Sequence, residues 1–229
     1  IEQKVAATPN ATMPGYAVIT NSTYDGLLYN TQYIKETLET KFIHFDSAWV
    51  PYTNFNSIYE GKCGMSGEAM PGKVFYETQS THKLLAGLSQ ASQVLVQDAE
   101  ERKLDRDCFN EAYLMHTSTS PQYAIIASCD VSAAMMESPG GTTLVEESIA
   151  EALDFRRAMR KVDDEFGADW WFKVWGPDHL ADEGVGTRDD WVLEPKAYWH
   201  DFGHLAKDFN MLDPIKATVV TPGLDVEGN

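Results

Sequence analysis

Short apolar runs alternate with stretches of helical periodicity along the first hundred residues of the chain. The apolar runs have the length and β-prone composition of buried strands. They cover residues 16–20, 42–45, 73–77 and 92–97. Between the first two runs, residues 31–40 have helical character, with Ile34 and Leu38 near one face. Residues 82–90 predict a short helix or turn.

The pattern turns helical after residue 107. Three helices are predicted, the first capped by Asp107, the second begun by Pro121, and the third amphipathic with Leu144, Ile149, Leu153 and Met159 among its apolar positions. They cover residues 107–115, 121–136 and 143–166, with a break at 138–141. A strand at 170–175, an acidic loop-rich region at 176–209 and a last strand at 215–220, closed by Pro222 and Gly223, complete the prediction.

Strands that alternate with helices predict an α/β fold, with a mostly parallel sheet flanked by helices. Ligands in such folds bind outside the carboxyl ends of the strands. Asn21, Asp46 and the segment 80–83 all fall at predicted strand ends. The pattern therefore indicates where a site would form.

Composition is that of one sizeable globular domain. The chain has 229 residues, of which 43% are hydrophobic and 23% charged. No apolar run approaches the roughly 20 residues that cross a bilayer, so no membrane partner is expected. The chain opens with Ile1 rather than methionine and shows no signal peptide, so we expect an interior piece of a longer protein.

The net charge of −17 argues against nucleic acid as a partner, because phosphate binding needs a basic face. It would suit a cationic substrate, although solubility explains an acidic chain equally well. Cys63, Cys108 and Cys129 are odd in number and widely spaced. This usage is typical of a reducing compartment, so we expect a cytoplasmic location.

Two strand-end motifs carry the candidate chemistry, HFDSAW at 44–49 and ETQSTHK at 77–83. The second ends in Lys83 and the first contains Asp46. A lysine that bonds to an aldehyde and an aspartate that holds a pyridinium proton are what pyridoxal phosphate requires. Ala48, two residues after Asp46, would point to the same side and pack under a flat ring. Taken alone, Lys83 is better explained as a surface lysine at a helix start, since most lysines are exposed, and Asp46 can equally be a helix-capping aspartate after a strand.

Hydroxyl and imidazole groups near these motifs suit a phosphate dianion. Ser80 and His82 are candidate phosphate ligands, and His82 is also a catalytic candidate beside Lys83. The cluster at 117–120, which contains Ser118 and Thr119, precedes a predicted helix and is either an anion site or ordinary capping. Trp49 is either a contact near the cofactor hydroxyl or a core aromatic.

His200 and His204 have the i,i+4 spacing of metal ligands. The segment lacks the glutamate of the zinc-peptidase motif and an evident third ligand. We therefore interpret both as structural or exposed histidines and expect no metal.

In combination, these motifs resemble those of the bacterial basic amino-acid decarboxylases of the aminotransferase fold, particularly the lysine decarboxylases. The resemblance extends through TNSTYDG (20–26), WVPYT (49–53), HTSTSP (116–121) and LDPIK (212–216). It implies a pyridoxal phosphate enzyme that converts L-lysine to cadaverine, with a role in acid tolerance and polyamine metabolism. It also implies a homodimer, with Ser118 and Thr119 reaching the partner's cofactor phosphate, and a larger assembly such as a decamer.

The resemblance makes residues 1–229 part of the pyridoxal phosphate-binding major subdomain, with its core at 16–222. The family's amino-terminal wing, carboxyl-terminal domain, ring-stacking histidine and a Ser/Thr phosphate pair then lie outside this chain. We expect the chain by itself to be inactive. Two alternatives remain open: an arginine or ornithine decarboxylase or aminotransferase of the same fold, and a non-catalytic fragment.

Overall fold

The structure, a computed structural model, describes residues 1–180, 184–200 and 202–221. The helices within these residues are α1 (Glu2–Ala6), α2 (Thr31–Thr37), α3 (Thr81–Leu84), α4 (Arg106–His116), α5 (Tyr123–Met136) and α6 (Gly140–Phe166). The strands are β1 (Tyr16–Thr20), β2 (Leu27–Tyr29), β3 (Phe42–Asp46), β4 (Val74–Gln79), β5 (Gln93–Asp98), β6 (Lys173–Val174), β7 (Asn210–Leu212) and β8 (Val219–Val220). Short 3-10 helices cover Pro51–Asn54, Ser57–Tyr59, Gly167–Asp169 and Arg188–Trp191.

The chain divides into two units, one of residues 1–22 and 31–141 and one of residues 23–30 and 142–229. The first unit contains a four-stranded sheet in the order β1-β3-β4-β5. Strands β1, β3 and β4 are parallel, as predicted, whereas β5 runs antiparallel to β4. The reversal follows from the connection, because the four-residue helix α3 is too short to carry the chain back along the sheet.

The carboxyl ends of the three parallel strands are level with one another. Thr20 pairs with Asp46, and Asp46 pairs with Thr78. The ladder continues one step past the strands, since the Asn21 N–H donates to the Asp46 carbonyl and the Ser47 N–H donates to the Thr78 carbonyl, both at 2.9 Å. The segments after β1 and β3 are therefore held side by side.

One face of this sheet forms the core of the first unit. Ile43, Phe45 and Phe75 on that face are fully buried. The side chains alternate along each strand, so His44, Asp46 and neighbouring residues lie on the opposite face. The prediction of buried strands is thus correct for one face of β3 and of β4, whereas β1, predicted as a buried strand, has no buried residue.

A lysine and a glutamate are buried on the core face. The Lys35 ammonium donates to the Ser66 carbonyl at 2.7 Å and to Gln97 Oε1 at 2.9 Å, and it lies 4.6 Å from the centroid of the Phe75 ring. Burial lowers the pKa of Lys35 to about 8, although the nearby Cys63 and Glu77 oppose that shift. Ser66 belongs to the loop after the second 3-10 helix, so Lys35 ties this loop to the sheet.

Glu77, which lies in β4, binds the same loop. Its Oε1 accepts from the Gly64 N–H at 3.0 Å, and its Oε2 lies 3.5 Å from Cys63 Sγ. Burial, reinforced by the Glu77 charge, raises the pKa of the Cys63 thiol to about 12. The approach at Gly64 is close, since an added Cβ would lie 2.7 Å from Glu77 Cδ. A side chain at position 64 would therefore force the Glu77 carboxylate or its surroundings to shift.

The second unit is built on α6 and two small antiparallel pairs, β2 with β7 and β6 with β8. Of the apolar positions predicted for α6, Ile149 and Leu153 are buried, Met159 is half-buried and Leu144 is exposed, and the neighbouring Val145 is buried instead. Arg156 donates to the carbonyls of Trp175 at 3.0 Å and Lys216 at 2.7 Å. Burial lowers its pKa to about 10, partly offset by Asp213.

Several predicted boundaries are wrong. Helix α4 is capped by Asp105, whose Oδ1 accepts from the N–H groups of Asp107 and Cys108. Helix α5 begins after Pro121, at Tyr123, and α6 already begins at Gly140, so the break between them is shorter than predicted.

The predicted strands at 170–175 and 215–220 shrink to the two-residue pair of β6 and β8. Strands β2 and β7 were not predicted, because three residues are too few for a periodic signal. The predicted closing residues Pro222 and Gly223 lie outside the described residues.

Among the helices that are described, none has the length and apolar character needed to cross a membrane.

The contact between Gly64 and Glu77 predicts a steric effect. In the complete polypeptide, Gly64→Ala should destabilise the fold by about 1–3 kcal/mol, because the methyl group would overlap a buried carboxylate. The matched control is Gly15→Ala, where an added Cβ meets nothing within 4 Å. Thermal unfolding of the two variants checks this, and equal midpoints would contradict the close approach.

Candidate functional site

Asp46 is the last residue of β3, and its side chain is exposed at the carboxyl end of the sheet. Its Oδ1 accepts a hydrogen bond from the Ala48 N–H at 3.2 Å. This bond orients the carboxylate and leaves further acceptor positions on its oxygens. Ala48 itself is half-buried beside it.

Lys83 lies in α3, which directly follows the adjacent strand β4. Its backbone N–H donates to the Ser80 carbonyl at 3.1 Å. Its Nζ lies 4.5 Å from the centroid of the Trp49 ring, in the segment that follows Asp46. The structure thus brings Lys83 to the segment 46–49, and the half-buried side chain is not that of a free surface lysine.

Trp49 remains 39% exposed, so it is not a core aromatic. An exposed indole face against an ammonium group is a cation–π contact. Trp49 therefore belongs with the strand-end residues rather than with the core.

Ser80 and His82 also lie at this end of the sheet. Ser80 occupies the N-cap position of α3, but its side chain makes no capping hydrogen bond. His82 Nδ1 lies 2.7 Å from the Ala91 carbonyl oxygen, which also accepts from the His82 backbone N–H at 3.0 Å. Since a carbonyl only accepts, Nδ1 carries a proton and Nε2 is left for another partner.

Ser118 and Thr119 lie in an exposed segment between α4 and α5. The Ser118 hydroxyl accepts from the Ser120 N–H at 3.1 Å. Helix α5 has Gln122 at its N-cap position, without a side-chain capping bond. The hydroxyl cluster is therefore not the cap of α5, and the structure does not bring it to Lys83 within one chain.

Asn21 has a larger role than its place at a strand end indicated. It is fully buried, and its Nδ2 donates to Ser47 Oγ at 3.2 Å and to the Lys62 carbonyl at 2.8 Å. It thus fixes the residue between Asp46 and Ala48. The sequence signal was its position at a strand end, but its partners lie in other segments.

His44 was not among the predicted site residues. Its ring lies between the Tyr16 hydroxyl, 2.6 Å from Nδ1, and Thr78 Oγ1, 2.6 Å from Nε2. Burial lowers the pKa of His44, while the Asp46 carboxylate opposes the shift. The sequence feature that could have identified His44 is its position two residues before Asp46, which places both side chains on one face of the strand.

The two spaced histidines lie in different surroundings. His200 Nδ1 accepts from the Phe202 N–H at 3.2 Å, and its ring stacks on that of Phe202. His204 is exposed. Among residues 1–180, 184–200 and 202–221, no group of three His, Cys, Asp or Glu side chains is placed to hold a metal ion.

Comparison with known proteins relates the whole chain to one family. The family model described as "Orn/Lys/Arg decarboxylase, major domain" matches residues 1–229. The chain is 54% identical over 228 residues to a lysine decarboxylase of Hafnia alvei, covering 100% of this chain and 30% of the relative. It is 40% identical to the biodegradative arginine decarboxylase of Escherichia coli, over 94% of this chain and 31% of the relative.

A solved structure, lysine decarboxylase A from Pseudomonas aeruginosa, superposes with a TM-score of 0.87 at 49% identity. The superposition covers 100% of this chain and 32% of that chain. The chain thus spans about a third of the length of the relatives it matches.

Loss of the Asn21 side-chain hydrogen bonds should lower the stability of the fold. Asn21→Ala should destabilise the complete polypeptide by about 1–3 kcal/mol, because the Ser47 and Lys62 oxygens lose a buried donor. Asn110→Ala, at an exposed position of α4, is the control and should change little. Urea unfolding measures both, and similar midpoints for the two variants would contradict the role of Asn21.

Proposed function

The chain belongs to the Orn/Lys/Arg decarboxylase family, and from that membership we propose that it is the cofactor-binding part of a pyridoxal phosphate-dependent lysine decarboxylase. The complete enzyme would convert L-lysine to cadaverine and carbon dioxide. One observation carries the proposal: Asp46 ends one strand, Lys83 follows the adjacent parallel strand, and the Lys83 amine lies 4.5 Å from the centroid of the Trp49 ring, in the segment 46–49.

The residues at the strand ends suit pyridoxal phosphate. The exposed Asp46 carboxylate is an acceptor for a protonated ring nitrogen, and the Ala48 methyl group is small enough to lie under a flat ring. The Ser80 hydroxyl is not used for capping, and His82 Nε2 is not the nitrogen bound to Ala91. The Ser80 hydroxyl therefore suits a phosphate as a donor, and His82 Nε2 would do so when the ring carries a proton on both nitrogens.

Pyridoxal phosphate, when bound, supplies an electron sink for the pair left when the carboxylate departs. Asp46 would hold a proton on the ring nitrogen. Lys83 Nζ would hold the cofactor through its aldehyde and give it up to the substrate amine. His82, oriented by Ala91, holds or moves a proton at Nε2 next to Lys83.

Lysine is favoured as the substrate by the greater similarity to lysine decarboxylases than to an arginine decarboxylase. The net charge of −17 would attract a cationic amino acid. Replacing a carboxylate by hydrogen consumes one proton in each turnover. The proposed reaction therefore suits acid tolerance and polyamine formation.

We place the complete enzyme in the cytoplasm as a homodimer that forms a larger homo-oligomer. Cys63, Cys108 and Cys129 are free thiols, which suits a reducing compartment. The segment at 117–120 is exposed, and Met115 and Tyr123 on either side of it are 76% and 79% exposed. Large exposed apolar side chains around a donor cluster suit a protein interface, through which Ser118 and Thr119 would reach the partner's phosphate.

The reaction is tested with the complete enzyme and a panel of lysine, arginine and ornithine. Cadaverine should form fastest, Lys83→Ala should abolish nearly all turnover, and Asp46→Asn should lower kcat by roughly 100-fold or more, since its charge acts as the carbanion forms. Lys103→Ala, at an exposed lysine paired with Glu100, is the control. Faster release of carbon dioxide from arginine or ornithine, or normal turnover by Asp46→Asn, would contradict the proposal.

The shared site is tested by mixing two inactive chains. One carries Lys83→Ala and the other carries Ser118→Ala with Thr119→Ala. A mixed dimer rebuilds one intact site, so mixing should restore up to about a quarter of the wild-type activity, the statistical share when two chains assort at random. If mixing under conditions that exchange subunits restores nothing, the site is not shared.

A further inference from the structure

A side-chain bridge crosses the three parallel strands just before the proposed site. The Tyr16 hydroxyl of β1 lies 2.6 Å from Nδ1 of His44 in β3, and Nε2 of the same ring lies 2.6 Å from Oγ1 of Thr78 in β4. Each ring nitrogen thus has its own hydroxyl partner. Because hydroxyls both donate and accept, this bridge is satisfied in either neutral tautomer of His44.

The bridge is joined to Asp46 through both of its strands. His44 and Asp46 are two residues apart in β3, so their side chains share one face. Thr78 is the pairing partner of Asp46, and its carbonyl accepts from the N–H of Ser47 at 2.9 Å. A shift of Thr78 would therefore move the backbone that carries the Asp46 carboxylate.

The surroundings of His44 favour its neutral form. The groups that face it are the Tyr16 and Tyr76 rings, with centroids 6.2 Å and 6.1 Å away, and the Asp46 carboxylate. Burial lowers the pKa of His44 and raises the pKa values of both tyrosines. A neutral imidazole leaves the negative charge of Asp46 available to the ring nitrogen of a bound cofactor.

We propose that His44 is a positioning residue for this site, holding the Asp46 carboxylate in place through Thr78. The proposal rests on the proposed function, because it gives Asp46 the role of pyridinium partner. It adds a residue that touches neither substrate nor cofactor. Its effect should appear in the electronic state of bound cofactor and in kcat, rather than in the affinity for lysine.

The test uses the complete enzyme and variants that keep one half of the bridge at a time. The amide of His44→Gln reaches the position of Nε2 and can bond to Thr78, whereas the amide of His44→Asn lies near Nδ1 and can bond only to Tyr16. His44→Phe removes both bonds and keeps the ring. Tyr76→Phe is the matched control. It removes a hydroxyl on the same face of the sheet as His44, and that hydroxyl is not one of the two that bond to the His44 ring.

With saturating pyridoxal phosphate, His44→Phe should lower kcat roughly tenfold and leave KM for lysine within about twofold, the range expected for a residue that acts through another group. The absorbance spectrum of bound cofactor should shift in the direction that Asp46→Asn produces. His44→Gln should recover most of kcat and the wild-type spectrum, and His44→Asn should not. Tyr76→Phe should behave as wild type.

A wild-type spectrum and kcat in His44→Phe would overturn the proposal, and so would recovery by His44→Asn without recovery by His44→Gln. A lowered melting temperature with an unaltered cofactor spectrum would make His44 a purely structural residue and also overturn it. Asp46→Asn separates the two claims. If Asp46→Asn itself has the wild-type spectrum and kcat, the role that the proposed function gives to Asp46 fails, and if only the His44 variants do, this inference alone fails.

Discussion

The site depends on the backbone hydrogen bonds that keep the carboxyl ends of three parallel strands level. Thr20, Asp46 and Thr78 stand side by side, and the bonds from Asn21 and Ser47 extend this alignment beyond the strands. In a parallel sheet the chain leaves every strand at the same edge. Lys83 Nζ therefore lies beside Trp49, in the segment 46–49, although Asp46 and Lys83 are 83 − 46 = 37 positions apart in sequence.

The two faces of this sheet have different roles. On the core face, Lys35 and Glu77 bind the loop that contains Gly64 and Ser66, so both of these buried ionisable groups have hydrogen-bond partners. On the opposite face, polar residues cross the strands and end at the exposed carboxylate of Asp46. Glu77 and Thr78 are neighbours in sequence but serve opposite faces, as the two-residue period of a strand requires.

The sequence predicted most of the first unit, because its strands β1, β3, β4 and β5 are apolar runs that can be recognised locally. It did not predict β2 and β7, which are three residues long and pair across some 180 positions. It placed the cap of α4 at Asp107 rather than Asp105, since both acids fit the local pattern. Asn21 and His44 could not be assigned roles, because their partners lie on other strands and loops. The roles of Lys83, Asp46 and the phosphate donors came from a family resemblance and stay predictions.

The central claim is that Lys83 is the residue that holds the cofactor. Borohydride reduction of the complete, cofactor-loaded enzyme makes that bond permanent, and peptide mass spectrometry then identifies the modified lysine. The account predicts pyridoxyl label on Lys83 and on no other lysine of the chain. Label on a different lysine, or no covalent label in an enzyme that turns over, would contradict it.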